Sequence, residues 1–376
     1  MFLKKFSLLC FVLFFSSSSL GADRIKSITF GAMLLDRDKF GLIDANLDRI
    51  KSNNFNSITL IVDWYVDNHL DPKVLPRYPG TSFPETDWFK PTLTHEEIIE
   101  ISKKAKLRGL DVILKMHIEP LDWPFGGKGR YAIKPNDVLW DYYTKFAVDT
   151  AKVAKKINAK LLILGTETDK LALNPSKWRS IIKSVKQHYS GPLSYAASFN
   201  GKPNFSASQW SIPKNCGPCK TKIWGEFDFI GFEPYAALTA KKDPTLDEMK
   251  KGVRKIIDKV MLPISKKHNN KKIIIPEIAF MSFDGVNTNP ISLDTSKYKV
   301  EDMPPDHEEQ SMAYQAWLEV LNEKDYQDLV YGIILWPGYL REPSEDMQTW
   351  IHNEKWDLIW GKKAEKTIRD GFKNWN

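Results

Sequence analysis

Two short apolar runs that each end at a glutamate constrain the fold of this 376-residue chain more than any other feature. Residues 161–166 (LLILGT) precede Glu167, and residues 273–276 (IIIP) precede Glu277. A short apolar run bounded by glycine or proline is typical of a buried strand. The sequence therefore predicts two glutamates at the carboxyl ends of two buried strands.

The spacing of these glutamates favours a barrel. Positions 167 and 277 lie 110 residues apart, which is about three strand-plus-helix units of roughly 30 or more residues each. In a barrel of parallel strands the carboxyl ends converge on one face, where catalytic groups lie. The two strands would then be the fourth and the seventh of eight.

The rest of the chain supplies the other units. Thr94 and Glu97 form a predicted capping box for a helix that begins at His95. No glycine-rich phosphate turn follows any strand, which argues against the rival fold, a doubly wound open sheet. We therefore predict an α/β fold, a single-domain (β/α)8 TIM barrel. Its predicted strands span residues 27–34, 57–63, 111–116, 161–166, 193–198, 228–233, 273–277 and 330–335, and its predicted helices residues 42–51, 95–108, 136–157, 175–189, 246–260, 308–321 and a stretch within 355–372.

The first 22 residues have the layout of a secretory signal peptide. Two lysines precede an apolar segment over residues 6–15, and a serine run leads to a small-residue cleavage site after Ala22. The apolar segment is too short to anchor the chain in a bilayer. We expect a secreted or periplasmic protein with no membrane anchor in the mature chain, in which residues 23–376 form the catalytic barrel.

Two cysteines remain after this segment, Cys216 and Cys219. Redox catalysis of the thioredoxin type needs such a pair at a helix start after a strand, whereas here proline and glycine predict a loop. An exported chain favours a small disulfide between them. Two free thiols are the alternative, and a metal site is disfavoured because no histidine or second cysteine pair accompanies them.

Charge and composition limit the kinds of molecule that the chain is expected to bind. The formal net charge is +7 and includes two lysines of the predicted signal peptide. No basic face with interleaved aromatic residues points to nucleic acid. The seven histidines are scattered, so we expect no metal and no cofactor, and we expect a monomer. Aromatic residues make up 12% of the chain, and a sugar-binding cleft uses such rings as flat apolar platforms.

Paired carboxylates at one mouth of a barrel are the machinery of glycoside hydrolysis, in which one acts as acid and base and the other as nucleophile or base. Glu233 is a third carboxylate at a predicted strand end. One interpretation is that Glu233 contacts the substrate or supports a residue that does. The other is that it forms a buried ion pair, for which Arg130 is a candidate partner. His117, at the end of the third strand, is more often a structural histidine than a ligand.

Taken together, these segments resemble clan A glycoside hydrolases and, more narrowly, glycoside hydrolase family 113, whose members are retaining β-1,4-mannanases. The resemblance covers most of the barrel from about residue 60 to residue 336. Its matching pieces are GLDVILKMH (109–117), GTE (165–167), residues 178–189 with GPLSY (191–195), DFIGF (228–232) with Tyr235, PEIAF (276–280) and GIILW (332–336).

The resemblance implies Glu167 as the acid and base and Glu277 as the nucleophile. It places Tyr235 near the nucleophile and Trp336 under the sugar at the cleaved bond. It also implies that the substrate hydroxyl groups are bound by His117, Arg130 and Asn200. Trp64 belongs to a group of tryptophans in predicted mouth-side loops that would add subsites, together with Trp88, Trp123 and Trp224.

Two segments depart from the family pattern. The seventh strand ends in PEIAF where TEIGY is expected, and the sixth ends in FEPY where Asp-Ala is more familiar. These changes reshape the pocket wall and bear on the substrate. We therefore expect a retaining hydrolase of β-linked glycans, with β-1,4-mannan as the leading substrate. A non-catalytic carbohydrate-binding protein on a degenerate barrel and a transglycosylase are the alternatives.

Overall fold

The computed structural model describes residues 24–30, 37–80, 89–123, 126–199, 216–288, 303–338 and 357–375. The predicted signal peptide, Trp88 and Asn200 lie outside the described residues. None of the helices described has the length and apolar character that crossing a bilayer requires.

Eight parallel strands close into one barrel in the order of the chain, with β8 pairing back onto β1. This architecture confirms the predicted (β/α)8 TIM barrel. The strands are β1 (Ile25–Phe30), β2 (Ser57–Val66), β3 (Asp111–Pro120), β4 (Leu161–Thr166), β5 (Leu193–Ser198), β6 (Ile230–Glu233), β7 (Ile273–Ile278) and β8 (Val330–Gly338).

Helices follow the strands and surround the barrel. The predicted capping box at Thr94 is present, because its hydroxyl accepts from the Glu97 amide while the Glu97 carboxylate accepts from the Thr94 amide. The helices are α1 (Ile43–Ser52), α2 (His95–Leu107), α3 (Asp137–Lys156), α4 (Pro175–Lys186), α5 (Gly217–Lys220), α6 (Leu246–Ile256), α7 (Leu262–Lys267), α8 (His307–Leu321) and α9 (Lys363–Asn374).

Two elements run further than the sequence predicts. β3 extends to Pro120 because each of its residues pairs with one of β2, from Ser57 with Asp111 to Val66 with Pro120. The helix predicted to end at residue 260 continues through a π-helical segment, Ile257–Met261, into α7. Proline at position 263 has no amide hydrogen to donate, which accounts for the widened hydrogen-bond ladder just before it.

Strand alternation separates two apolar layers. One set of residues fills the barrel interior, and the residues between them pack outward against the helices. In β3 this places Ile113 in the interior, and Lys115, His117 and Glu119 follow at intervals of two on the same face. The interior set is Ile25, Ile113, Leu161, Ile163, Ala196, Phe229, Ile274 and Ile334.

Gly231 in β6 permits close approach of β5, and we predict that Gly231→Ala destabilises the barrel. An added Cβ would lie 1.9 Å from the backbone oxygen of Tyr195, so the two strands would have to separate. The expected loss is about 1–3 kcal/mol of unfolding free energy, measured by urea denaturation. Gly225→Ala is the matched control because nothing lies within 4 Å of its added Cβ. Equal losses in both variants would contradict this explanation.

Candidate active site

Glu167 directly follows β4 in a backbone conformation that side chains rarely adopt. Its φ is 52°, and its amide donates to the backbone oxygen of Ala196 at 2.9 Å. The pairing of β4 with β5 shifts register between Ile163 and Thr166, just before this residue. A non-glycine residue held at positive φ stores strain that is typical of functional sites.

Glu277 lies inside β7, where a second irregularity redirects the strand. Alternation would place Glu277 on the outer face with Ile273 and Ile275, which pack against the helices. The pairing with β8 shifts register between Ile275 and Ile278. Pro276 stands at this shift and lacks the amide hydrogen that a regular ladder needs. Such irregularities re-aim side chains beside active sites, and Glu277 contacts groups inside the barrel.

Both carboxylate oxygens of Glu277 accept hydrogen bonds. The Tyr235 hydroxyl donates to Oε1 at 2.5 Å, and the Lys115 ammonium donates to Oε2 at 2.6 Å. Burial raises the pKa of Tyr235 well above its usual value of 10, so its hydroxyl remains a donor. A carboxylate that accepts at both oxygens, once from a cation, has the surroundings of an ionised group.

Lys115 is a residue of the candidate site that sequence reasoning missed. It is fully buried, and its ammonium also donates to Glu233 Oε1 at 2.8 Å. Glu233 is fully buried as well. Among the described residues its ion-pair partner is Lys115, whereas the sequence suggested Arg130. A signal was present, because a lysine inside an otherwise apolar strand needs a partner when the strand is buried.

Arg130 connects β3 to the predicted acid and base. It begins a 3-10 turn, Arg130–Ala132, and its Nη1 lies 2.8 Å from Glu119 Oε1 and 2.6 Å from His117 Nδ1. Its Nε lies 3.5 Å from Glu167 Oε2. Burial holds the pKa of His117 well below its usual value, so the ring is neutral and accepts at Nδ1. His117 therefore supports Arg130, which faces Glu167.

Burial also perturbs Glu119. It raises the pKa of this carboxyl to about 7, and the nearby positive charge of Arg130 opposes the rise. Atoms of the kinds that bind metal ions lie within 4.8 Å of one another in the side chains of Asp63, His117 and Glu119. Arg130 already bonds two of these three groups. The chain itself thus supplies the positive charge at this cluster.

The predicted aromatic residues separate into two groups. The Trp336 ring in β8 lies nearly parallel to that of His117, with centroids 6.3 Å apart and planes inclined by 16°. Trp336 and Tyr235, which contacts Glu277, therefore belong to the candidate site. Trp64 does not join them. Its ring stacks on Phe146 of α3 at 4.6 Å and packs in the outer layer. Alternation explains the difference, because the preceding residue, Asp63, is the one that faces His117.

The remaining surface of Trp64 lines a groove of about 340 Å³ on the outer wall, beside Tyr78 and Lys145. Trp224 is also buried, and its ring donates to the Pro218 backbone oxygen at 3.0 Å. Cys216 and Cys219 are joined by a disulfide with Cα atoms 5.3 Å apart. Their segment includes the single-turn helix α5, where the sequence predicted only a loop.

Comparisons with known proteins give one family and a set of similar folds. The model of Glycoside Hydrolase Family 113 matches residues 45–349. No curated protein sequence matches the chain. Among solved structures, a GH113 β-1,4-mannanase described as a complex aligns with a TM-score of 0.70 at 19% identity, over 94% of this chain and 99% of its own.

Two further structures share the barrel. A GH113 β-mannanase from Alicyclobacillus acidocaldarius in complex with ManMIm aligns with a TM-score of 0.70 at 18% identity, over 95% of this chain and 99% of its own. An endo-β-1,4-mannanase from Thermotoga petrophila aligns with a TM-score of 0.57 at 12% identity, over 94% of this chain and 77% of its own. At these identities the structural similarity concerns the fold.

Proposed function

The chain belongs to Glycoside Hydrolase Family 113, and from this premise we propose that it hydrolyses β-1,4-linked mannan by double displacement with retention of configuration. Glu277 is the nucleophile, and Glu167 is the general acid and base. Retaining hydrolysis needs one carboxylate that attacks the sugar carbon and one carboxylic acid that protonates the leaving oxygen. The two glutamates at the mouth supply this pair.

The hydrogen bonds of Glu277 carry the proposal. Lys115 and Tyr235 each donate to one of its oxygens, which stabilises the ionised form that a nucleophile requires. Glu167 has no comparable pair of short bonds in the described structure. It faces Arg130 at 3.5 Å, and its side chain is 24% exposed. This partial exposure leaves it free to give a proton to a leaving oxygen and later to take one from water.

The reaction then follows in two steps. In the first, Glu277 attacks the anomeric carbon while Glu167 protonates the leaving oxygen, and a glycosyl ester forms on Glu277. In the second, Glu167 takes a proton from water, which attacks the same carbon and releases Glu277. The half-buried ring of Trp336 offers a flat apolar surface for the sugar at the cleaved bond.

Mannan as the substrate is supported by the similar structures, which are described as β-1,4-mannanases or a β-mannanase. The test is incubation of the wild-type protein with mannan, glucomannan, xylan and cellulose. We expect manno-oligosaccharides from the first two and no release from the others. Proton NMR early in the reaction should show the β-anomer of the new reducing end first, because two inversions restore the starting configuration.

Each contrary result changes a different part of the proposal. The α-anomer as first product would show an inverting reaction and remove Glu277 as nucleophile. Release from xylan or cellulose alone would change the substrate. Longer oligosaccharides in the presence of excess acceptor sugar would show transglycosylation, which shares the first step with hydrolysis.

We also propose that the chain is exported. The layout of residues 1–22 supports a signal peptide, and a disulfide between Cys216 and Cys219 fits an oxidising compartment. Amino-terminal sequencing of the protein secreted from its natural host, or recovered from its periplasm, would test the cleavage after Ala22.

A further inference from the structure

Lys115 lies at the centre of a buried charge cluster beneath Glu277. An ammonium group has three N–H donors, and three acceptors surround this one: Glu277 Oε2 at 2.6 Å, Glu233 Oε1 at 2.8 Å and the backbone oxygen of Pro276 at 3.3 Å. Lys115 and Glu233 are both fully buried. One cation thus pairs with two carboxyl groups, of which Glu233 is fully buried and Glu277 is partly exposed.

The two carboxyl groups are not equivalent. Glu277 accepts a second bond from Tyr235 and is 14% exposed. Glu233 is fully buried, and its Oε2 has no hydrogen-bond partner among the described residues. Two ionised carboxylates on one buried ammonium would leave an uncompensated negative charge, which is costly. The geometry therefore indicates that Glu233 is protonated when Glu277 is ionised.

The electrostatic surroundings agree with this placement. Burial raises the pKa of Glu233 to about 8, helped by the negative charges of Glu277 and Glu167 and opposed by Lys115. Arg130, Tyr195 and Tyr235 are the other titratable groups that interact with it. Loss of the charge on Glu277 would lower the pKa of Glu233, because a like charge beside it would be gone.

We propose that Glu233 is a positioning residue that acts on Glu277 through Lys115, because it ionises and becomes the counterion of the lysine while Glu277 carries the glycosyl ester. This inference rests on the proposed function, since it requires an ester on Glu277. It assigns Glu233 a role behind the nucleophile, not contact with the sugar.

The charges balance at each step. In the free enzyme Glu233 is a carboxylic acid, Lys115 an ammonium and Glu277 a carboxylate. When the Glu277 lone pair forms the bond to the anomeric carbon, the electron pair of the cleaved bond goes to the leaving oxygen, which takes its proton from Glu167. Glu277 is then neutral, so Glu233 gives up its proton to the solvent that reaches the 14% exposed Glu277 and, as a carboxylate, neutralises Lys115. Hydrolysis of the ester restores the Glu277 carboxylate, and Glu233 takes a proton back.

The first test is infrared difference spectroscopy of the trapped ester. The probe is 2-deoxy-2-fluoro-β-mannosyl fluoride, and mass spectrometry of the peptide that contains Glu277 verifies the adduct. The protonated-carboxyl C=O band of the wild type should weaken on trapping, and the part due to Glu233 should be missing from the difference spectrum of Glu233→Gln.

Two failures of this test are distinguishable. Absence of an adduct on Glu277 would contradict the proposed function and this inference with it. An adduct whose difference spectrum is the same in the wild type and Glu233→Gln would contradict this inference alone.

The second test is a double-mutant cycle on the rate of ester formation. Glu233→Gln keeps an oxygen that accepts from Lys115 but removes the counterion, so we expect a rate lower by on the order of ten-fold. With Lys115→Met as background, the same change should alter the rate by less than about two-fold, because no cation remains to be neutralised. Equal effects in both backgrounds would show a merely structural role and overturn the proposal.

Stability measurements accompany the cycle. Lys115→Met leaves a buried carboxyl group without its cation, so it should lower the melting temperature, and adding Glu233→Gln should recover part of the loss. Glu365→Gln is the matched control. Glu365 forms a partly buried ion pair with Arg49 on the outer helices, and its replacement should leave the rate of ester formation unchanged in both backgrounds.

Discussion

Glu277→Ala should lower kcat on mannan by roughly 10⁶-fold, the loss seen when the nucleophile of a covalent mechanism is removed. The Tyr235 hydroxyl and the Lys115 ammonium then lose the carboxylate to which both donate. The fold should survive, because Glu233 still contacts Lys115 and can ionise to become its counterion. The measurement is kcat from reducing-sugar release, with thermal unfolding followed by circular dichroism.

Azide identifies the role of the missing group. In Glu277→Ala a small anion fits the space left by the carboxylate and attacks from the same side, which yields an α-glycosyl azide from an activated aryl β-mannoside. Glu308→Ala is the matched control, since its side chain is 65% exposed at the start of α8, and it should retain wild-type kcat. Substantial hydrolysis with retained configuration by Glu277→Ala would remove this residue as the nucleophile.

Glu167→Ala should reduce kcat on mannan by about 10²- to 10⁴-fold, the usual contribution of general acid and base catalysis. The loss should depend on the leaving group. A dinitrophenolate departs without a proton, so the ester should still form quickly from a dinitrophenyl mannoside and then hydrolyse slowly. The measurement is a rapid burst of dinitrophenolate followed by a slow steady rate.

Azide again separates this role from that of Glu277. In Glu167→Ala it replaces water in the second step and attacks the ester from the face opposite Glu277, so the product is a β-glycosyl azide. The two variants therefore give opposite anomers. An α-azide from Glu167→Ala, or an equal loss of kcat on substrates with good and poor leaving groups, would contradict the assignment of Glu167 as acid and base.

The architecture was predictable because short-range sequence patterns specify its strands and helices. Alternating apolar runs and helical periods predicted the barrel, and a threonine followed three residues later by a glutamate predicted the start of α2. The two glutamates were predictable candidates because each follows or ends a buried run. Strand lengths were less predictable, since β3 extends as far as its pairing with β2 allows.

The side on which a residue lies was harder to predict. Trp64 was expected at the mouth, but it follows regular alternation in β2 and packs outward on Phe146. Glu277 breaks alternation, because the register shift at Pro276 brings its side chain to Lys115. Strand alternation therefore predicts the outward side chain of Trp64 correctly and the inward side chain of Glu277 wrongly.

The order of strands and helices, the strand ends that carry glutamates and the family resemblance could all be predicted from the sequence. Such features depend on residue types within a few positions of one another. Which charged side chains contact one another depends instead on how the barrel closes. Lys115 pairs with Glu233 across 118 positions and with Glu277 across 162. Closure of the barrel brings distant strands around one buried interior, where an unpaired charge would be costly.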